Sequence, residues 1–367
     1  MKIAMIGLRG IPTKSGGVET AVDNLSSEFV KLGIEVTVYC RSQYCPGRPK
    51  AYNGVKLRYL PTLNTKYTEA ITHTFLASFD SLSKDYDLVH YHAMGNTLFS
   101  FIPRLLGKKT VLTLHGLDYE REKWGLFARS FLKLNERLAL TFPNRTISVS
   151  KKIQNHFKET YKKGIAYIPN GVNLGNKLPL SKLKKFNIQP GYILFLGRLV
   201  PEKGLHYLLE AFKEIKTDRQ LVIAGEHTYT EKYYRQLLET AKPDKRIIFT
   251  GSLYDDVKDE AYSNALAFVL PSTIEGMPIA LLEAMSYGLY PLISDIEENI
   301  ETAGGNAISF KSKDIYDLKG KLNYIIENPV LIKRKGSSCI NYVKKEFNWK
   351  DIAKKHIDLY KEVLNDG

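Results

Sequence analysis

Short apolar runs recur along this chain at the spacing of an α/β protein, and they do so in two sets. The first set is 2–6, 35–40, 88–91, 110–114, 146–149 and 165–168; the second is 192–196, 220–224, 246–250, 267–270 and 291–294. Runs this short, bounded by Gly, Pro and Asn, read as buried parallel strands, and helical patterns lie between them. Between the first two runs, Val22, Leu25, Phe29 and Leu32 recur at helical spacing and Gly33 follows as a stop, which predicts a helix over 18–32. Strand and helix alternating twice over leave few architectures. The pattern predicts two doubly wound, Rossmann-like α/β domains. Pro169-Asn170-Gly171-Val172 and the Lys-rich stretch through Pro190 mark the boundary. The expected domains are 1–172 and 173–349, with a terminal helix over 350–367 crossing back onto the first. No sequence-level repeat relates the halves. The opening strand–loop–helix lacks G-x-G-x-x-G, which argues against a dehydrogenase.

A length of 367 residues suits two domains of ordinary size, and 44% hydrophobic with 25% charged residues supports a sizeable core in each. No apolar run approaches about 18 residues, so no membrane span is expected. The apolar start at 1–7 is too short for a secretory signal. Cys40, Cys45 and Cys339 have no metal-ligand spacing, and an odd count without CxxC fits reduced thiols in a cytoplasmic protein. The net charge of +14 is uneven: residues 1–175 hold 25 Lys/Arg against 13 Asp/Glu. A basic first half suits an anionic partner, whether nucleic acid, anionic lipid or a phosphorylated substrate. No recognised nucleic-acid motif is present, so nucleic acid is not expected.

The chemistry concentrates in residues 272–285. Ala267-Phe268-Val269-Leu270-Pro271 reads as a buried strand and Ile279-Ala280-Leu281-Leu282-Glu283-Ala284-Met285 as a strong helix former. Strand, loop and helix start is where open α/β sheets bind ligands, and free N–H groups at the helix start suit an anion. Glu275 and Glu283 bracket the turn. At ~1.5 Å rise per residue they lie roughly 10 Å apart, about the span from the sugar to the ribose of a nucleotide sugar. The plainer reading is a carboxylate complementing the helix dipole plus one surface Glu.

Gly197-Arg198-Leu199-Val200-Pro201-Glu202-Lys203-Gly204 follows the run at 192–196. An Arg fork and a Lys ammonium at a strand end can stabilise a diphosphate leaving group in place of a metal; the plainer reading is a basic turn capping a helix. Ser15-Gly16-Gly17-Val18-Glu19 opens the first helix, where two glycines allow close approach of backbone to a ligand. His115-Gly116-Leu117-Asp118 follows the run at 110–114, placing an imidazole at the rim of the first domain, facing the second, where it can bond a sugar hydroxyl or steer an acceptor. His90 and His92 share one strand face with no evident third ligand and read as structural or cleft-lining. Asp85 and Asp87 precede a strand, the wrong end of a sheet for a metal site. The stretch 124–142 puts Phe127, Phe131, Leu134 and Leu138 on one face and Arg129, Lys133 and Arg137 on another. It reads either as a surface helix packed on the sheet or, with Lys108, Lys109, Arg121, Lys123, Lys151 and Lys152 nearby, as a contact for anionic lipid or a lipid-linked acceptor.

Together these stretches resemble the GT-B-fold glycosyltransferases of family 4. Carrying the resemblance are Ser15-Gly16-Gly17-Val18-Glu19, Thr113-Leu114-His115-Gly116, Ile168-Pro169-Asn170-Gly171-Val172, Gly197-Arg198 with Lys203-Gly204, Gly225-Glu226, Gly251, Glu275-Gly276-Met277-Pro278 and Glu283-Ala284-Met285. The front end, with Gly7-Leu-Arg-Gly-Ile-Pro, His115-Gly-Leu-Asp-Tyr and Lys123-Trp124-Gly125, is similar to a bacterial subgroup of rhamnosyl- and other sugar transferases of surface polysaccharide assembly. The resemblance implies two domains facing across a cleft and a retaining transfer from a nucleotide-diphosphate sugar, a UDP-sugar first among them, without metal or other cofactor. Arg198 and Lys203 would hold the diphosphate, Glu283 the ribose and Glu275 the sugar hydroxyls. Gly276, Met277 and Ile279 would offer backbone N–H groups, and Gly16 and Gly17 would close on the phosphates. Gly251 and Leu253 would meet the base through backbone atoms. His115 would sit at the reaction centre, with Asp118 beside it on the acceptor side. A glycan or lipid-linked acceptor is implied, in a cytoplasmic enzyme with peripheral contact at the inner face of the plasma membrane. Two departures stand out: Met277-Pro278 replaces a common Phe-Gly pair and removes one N–H, and Tyr290 precedes Pro291. The alternatives are a GT-B-fold sugar-nucleotide epimerase, and a non-catalytic binder of anions or nucleic acid.

Overall fold

The structure is a computed structural model that describes every residue except 13–15, 46, 64, 66, 67, 121–124, 228, 229 and 367. Ser15, Asn64, Arg121, Lys123 and Trp124 therefore lie outside the described residues. The chain forms two compact units, Met1–Gly171 with Trp349–Gly367, and Val172–Asn348.

The first unit is built on eight strands: β1 (Lys2–Ile6), β2 (Glu35–Arg41), β3 (Ala51–Tyr52), β4 (Val55–Leu60), β5 (Leu88–His92), β6 (Lys109–Leu114), β7 (Arg145–Ser148) and β8 (Ala166–Tyr167), in the order β3-β4-β2-β1-β5-β6-β7-β8. All these pairings are parallel except that of β3 with β4. Ile3 lies between Val36 and Leu88, and Ile3, Ala4, Met5 and Ile6 are fully buried. A strand covered on both faces needs such a continuous apolar run. Asp85 and Asp87 anchor its start, taking the Lys2 ammonium at 2.6 Å and the Lys2 N–H at 2.7 Å. The β3–β4 hairpin had no counterpart among the expected strands. Its turn is Asn53-Gly54, both at positive φ (47° and 79°), the geometry that Asn-Gly favours in two-residue hairpins.

The terminal helix Trp349–Asn365 belongs to this unit. It buries Trp349, Ile352, Ala353, Tyr360 and Val363, and the Tyr360 ring meets Phe29 of the helix Gly17–Lys31 edge-on at 5.7 Å. The Trp349 ring lies so close to Gly171 that a Cβ there would fall 2.5 Å away.

The second unit carries β9 (Tyr192–Leu196), β10 (Leu221–Ala224), β11 (Ile247–Gly251), β12 (Ala265–Leu270), β13 (Leu292–Ser294) and β14 (Ile308–Phe310), all parallel, in the order β11-β10-β9-β12-β13-β14. Its core is one cluster in which Ile193, Leu194, Phe195, Val222, Phe268, Leu281 and Leu282 are fully buried. The Val172 N–H donates to Phe347 O at 2.7 Å, which ties both ends of this unit together. The boundaries thus fall at 171/172 and 348/349, one residue before those expected, because Val172 pairs with Phe347 while Gly171 packs on Trp349. Both units are Rossmann-like α/β layers.

Candidate functional site

In the second unit the strand order reverses direction between β9 and β12, and the crevice beyond the carboxyl ends at such a point is where open sheets bind ligands. The loop after β9 carries Arg198 and the short turn Pro201–Lys203. Gly204 ends that turn at φ 66°, and a Cβ there would lie 2.0 Å from the Pro271 carbonyl oxygen, so only glycine lets the β9 and β12 loops meet. The Thr273 N–H donates to Glu202 O at 2.8 Å across the same junction. Lys203 Nζ reaches Glu275 Oε1 at 2.5 Å, with side chains 15% and 9% exposed. Lys203 and Glu275, which are 72 positions apart, are therefore one ion pair rather than two independent surface charges.

Arg198 is held from the backbone. Gly197 N–H donates to Ala224 O at 3.0 Å and Leu199 N–H to Glu226 O at 2.8 Å. Gly225 comes so near the Gly197 carbonyl that a Cβ would lie 1.8 Å from its oxygen. Gly251 closes β11, its carbonyl accepting from Gly225 N–H at 3.0 Å, and Leu253 follows it, buried. Gly276 is buried and Met277 half-buried before the helix Ile279–Ser286, whose start has Pro278 as its cap residue and no side-chain cap. An uncapped helix start after a buried strand suits an anionic group.

Glu283 lies on that helix, and its carboxylate is engaged at both oxygens: Lys258 Nζ at 2.8 Å from Oε1 and Tyr262 OH at 3.0 Å from Oε2. Its side chain is 17% exposed, so it is not the surface Glu of the plainer reading. Burial alone would lower the Lys258 pKa, but the facing Glu283 raises it above the ordinary value. Lys258 and Tyr262 were missed by sequence reasoning. They lie four apart on the helix Asp255–Ser263, one face of a helix, but nothing local ties that face to Glu283.

The first unit holds the remaining candidates. Its order reverses between β1 and β5. Gly16 is the cap residue and Gly17 the first residue of the helix Gly17–Lys31. Glu19 Oε1 accepts the Arg9 N–H at 3.2 Å, tying the loop after β1 to that helix start. His115 follows β6, and its Nε2 lies 3.2 Å from His92 Nδ1. His90 is fully buried, with Nε2 at 2.8 Å from Thr113 Oγ1 and Nδ1 at 2.7 Å from Tyr360 OH. Asp118 opens the short turn Asp118–Glu120 three residues beyond His115.

The basic helix differs from expectation. It spans Leu126–Leu138 and buries Leu132, Asn135 and Glu136, not the Phe127/Leu134 face. Asn135 Oδ1 accepts the Leu98 N–H at 2.8 Å, and Glu136 Oε1 takes His156 Nε2 at 2.7 Å and Tyr161 OH at 2.8 Å. Partnered polar groups can be buried at little cost, which frees the apolar side to face outward. Leu126 is 85% and Phe127 89% exposed.

The chain matches two family models, "Glycosyltransferase Family 4" over residues 15–176 and "Glycosyl transferases group 1" over residues 181–356. It is 26% identical over 391 residues to an uncharacterized glycosyltransferase of Methanocaldococcus jannaschii, covering 95% of this chain and 96% of that one. Among solved structures it resembles a sucrose-phosphate synthase from Thermosynechococcus elongatus, with a TM-score of 0.84, 19% identity and all of both chains covered. It also resembles Anabaena HepE in complex with UDP and glucose, with a TM-score of 0.80, 17% identity, and coverage of 99% of this chain and 100% of that one. Two Rossmann-like units, the paired strand-end loops of the second and these matches have one reading: the chain is a glycosyltransferase of the GT-B type, with a family 4 domain followed by a group 1 domain.

Proposed function

We propose that the chain transfers a sugar from a nucleoside-diphosphate sugar, with retention and without a metal ion, to a glycan or lipid-linked acceptor in cell-surface polysaccharide or glycoconjugate assembly, as in the rhamnosyl- and related transferases its front end resembles. The half-buried Lys203–Glu275 pair at the switch point carries this reading: it sets a cation and a carboxylate side by side, one suited to a diphosphate and the other to sugar hydroxyls. Arg198 shares the diphosphate, and Glu283, oriented by Lys258 and Tyr262, takes the ribose. The backbone of Gly276, Met277 and Ile279 meets the donor, and that of Gly251 and Leu253 the base. The C1–O bond to the diphosphate breaks with its electron pair leaving on the diphosphate oxygen. The acceptor hydroxyl bonds C1 on the same face and its proton passes to that oxygen, so no side chain acts as base. His115 and Asp118 serve the acceptor side. HepE holds UDP and glucose, which favours a UDP-sugar as donor here.

The test is thermal stabilisation by UDP, GDP, dTDP and ADP, with and without EDTA. One nucleotide, UDP first, is expected to raise Tm equally in both conditions and to lose its effect in Arg198→Ala. A shift requiring a divalent cation would overturn the metal-free reading. No shift with any of the four, in folded protein, would favour a non-catalytic binder, and isomerised donor without acceptor would identify an epimerase.

For the acceptor, the observation is the outward apolar side of Leu126–Leu138 in a strongly basic unit. Exposed Leu and Phe beside Arg and Lys suit an anionic lipid surface. No helix among the described residues is long and apolar enough to cross a membrane. Co-sedimentation with phosphatidylglycerol vesicles is expected, and is expected to fall at least 10-fold in the Leu126→Glu/Phe127→Glu double variant. Indifference to both lipid charge and substitution would point to a glycan free in solution.

A further inference from the structure

We propose that the first unit holds an amphiphile site for the acceptor: a groove along the helix Glu69–Leu82 takes the hydrocarbon chain of a lipid phosphate, and Arg9 takes the phosphate. The proposal rests on the transferase reading and narrows its acceptor to a lipid-linked one.

The helix Glu69–Leu82 is turned inside out. Its buried side carries Thr74, Ala77, Ser78 and Ser81, and the hydroxyls there have partners: Thr74 Oγ1 lies 2.7 Å from Asn96 Oδ1, and Ser78 Oγ lies 2.8 Å from Tyr91 OH. Its outward side carries Ile71, Phe75, Leu76 and Phe79, which are 39–49% exposed. A surface helix ordinarily does the reverse, and a contiguous apolar face turned to water marks a surface that meets another molecule. Part of this face is concave. Pro61, Leu63, Ile71, Phe75, Leu76 and Phe99 line a groove of about 390 Å³, the size of a small-ligand site. Phe99 is buried and meets the Phe75 ring edge-on at 6.2 Å.

The side-chain hydroxyls in the groove are already engaged. Thr62 Oγ1 lies 2.9 Å from Gln43 Nε2, and Thr72 Oγ1 donates to Thr68 O at 2.8 Å while accepting the Leu63 N–H at 3.2 Å. A sugar entering here would exchange water for apolar walls, at a cost. A hydrocarbon chain gains instead, by about 4-fold in affinity for each methylene buried. Polarity returns at the strand ends. Pro61 follows β4, and β1, β2 and β6 end on the same edge because their pairings are parallel; this is the edge that carries His115. Arg9 follows β1, and its guanidinium lies 5.0 Å over the Tyr44 ring. The Tyr44 hydroxyl donates to Glu69 Oε2 at 3.1 Å, two residues before Ile71 in the groove. Glu69 is paired with Arg41 Nη1 at 2.5 Å, so it does not neutralise Arg9, which makes no ion pair among the described residues. A cation at the strand-end side of an apolar groove, in the basic half of the chain, suits a hydrocarbon chain with an anionic head.

Isothermal titration with monomeric octyl phosphate, free of vesicles, tests the site. Octyl phosphate is expected to bind, and to bind at least 10-fold more weakly to Phe75→Ser/Leu76→Ser and to Arg9→Gln. Hexyl phosphate, two methylenes shorter, is expected to bind about 16-fold more weakly than octyl phosphate. Octyl glucoside, which has no charge, is expected to be indifferent to Arg9→Gln. An octyl phosphate with a diazirine at its chain end is expected to label residues 61–79. No binding to the wild type, an affinity unchanged in Phe75→Ser/Leu76→Ser, or labelling confined to 126–138 would each overturn the proposal. Inorganic phosphate binding as tightly as octyl phosphate would overturn it too, leaving a phosphate site without a chain. Self-association or vesicle binding that this double variant abolishes, without octyl phosphate binding to the wild type, would give the groove to a second copy or to the bilayer instead. Both substituted side chains are outward, and an unchanged Tm confirms that the variants fold. Failure of the transferase reading would appear separately, as absence of nucleotide binding with the octyl phosphate results intact.

Discussion

Lys203→Ala is expected to lower kcat/KM for sugar transfer about 10²- to 10³-fold, or about 2.7–4 kcal/mol, the effect of removing one donor aimed at charge that grows in the transition state. Two losses combine. The diphosphate loses a cation in a site where little water competes, and Glu275 loses its partner at 2.5 Å while remaining mostly buried. An uncompensated buried carboxylate is costly, so the variant should also melt at lower temperature. The two effects separate in Lys203→Ala/Glu275→Gln, which removes the orphaned charge. Tm should largely recover there while kcat/KM stays low. Lys203→Arg keeps the charge and should retain more activity than the alanine variant. Glu275→Gln alone is the reference: a double variant no slower than Glu275→Gln would show that Lys203 only holds Glu275 in place and has no role towards the diphosphate.

The elements that carry this pair were legible because their signal is local. β9 and β12 are covered on both faces, so Tyr192–Leu196 and Ala265–Leu270 stand out as unbroken apolar runs, and Lys203 and Glu275 come just after them. What was not legible depends on partners far away in sequence. The hairpin arm Ala51–Tyr52 is too short to show a period, though Asn53-Gly54 marked its turn. The helix Leu126–Leu138 has an apolar side, but periodicity does not say which side is covered. That depends on Leu98, His156 and Tyr161, which give Asn135 and Glu136 their bonds. Lys258 and Tyr262 lie 25 and 21 positions from Glu283, and only the packing of Asp255–Ser263 beside Ile279–Ser286 makes them its partners. His92 likewise reads as one more buried strand residue until the β5–β6 register, which sets His92 opposite Thr113, brings it beside His115.

Glu283→Ala is expected to raise the nucleoside-diphosphate Kd roughly 10- to 150-fold, corresponding to about 1.5–3 kcal/mol for hydrogen bonds to a charged group, while Glu275→Ala mainly lowers kcat. The carboxylates differ in what their partners leave them to do. Glu275 is bound to the cation assigned to the leaving group, so its loss disturbs the reacting end of the donor. Glu283 is held by Lys258 and Tyr262, which fix its orientation yet leave lone pairs for a ribose diol. Tyr262 remains a protonated donor, since burial and then the Glu283 charge raise its pKa well above the ordinary value. Lys258 supplies an internal control. Its pKa is raised in the folded protein by Glu283, so the stability this pair adds is full below pH 10.5 and is lost as pH rises through the raised value. At pH 7.5 Glu283→Ala forfeits that contribution and leaves a half-buried ammonium without this partner, so Tm should fall, and Lys258→Met in the same background should restore part of it without restoring affinity. Isothermal titration of UDP against the single variants, with kcat measured alongside, decides the division of labour. An equal loss of nucleotide affinity in Glu275→Ala and Glu283→Ala would mean that both carboxylates act on the nucleotide and that the sugar is held elsewhere.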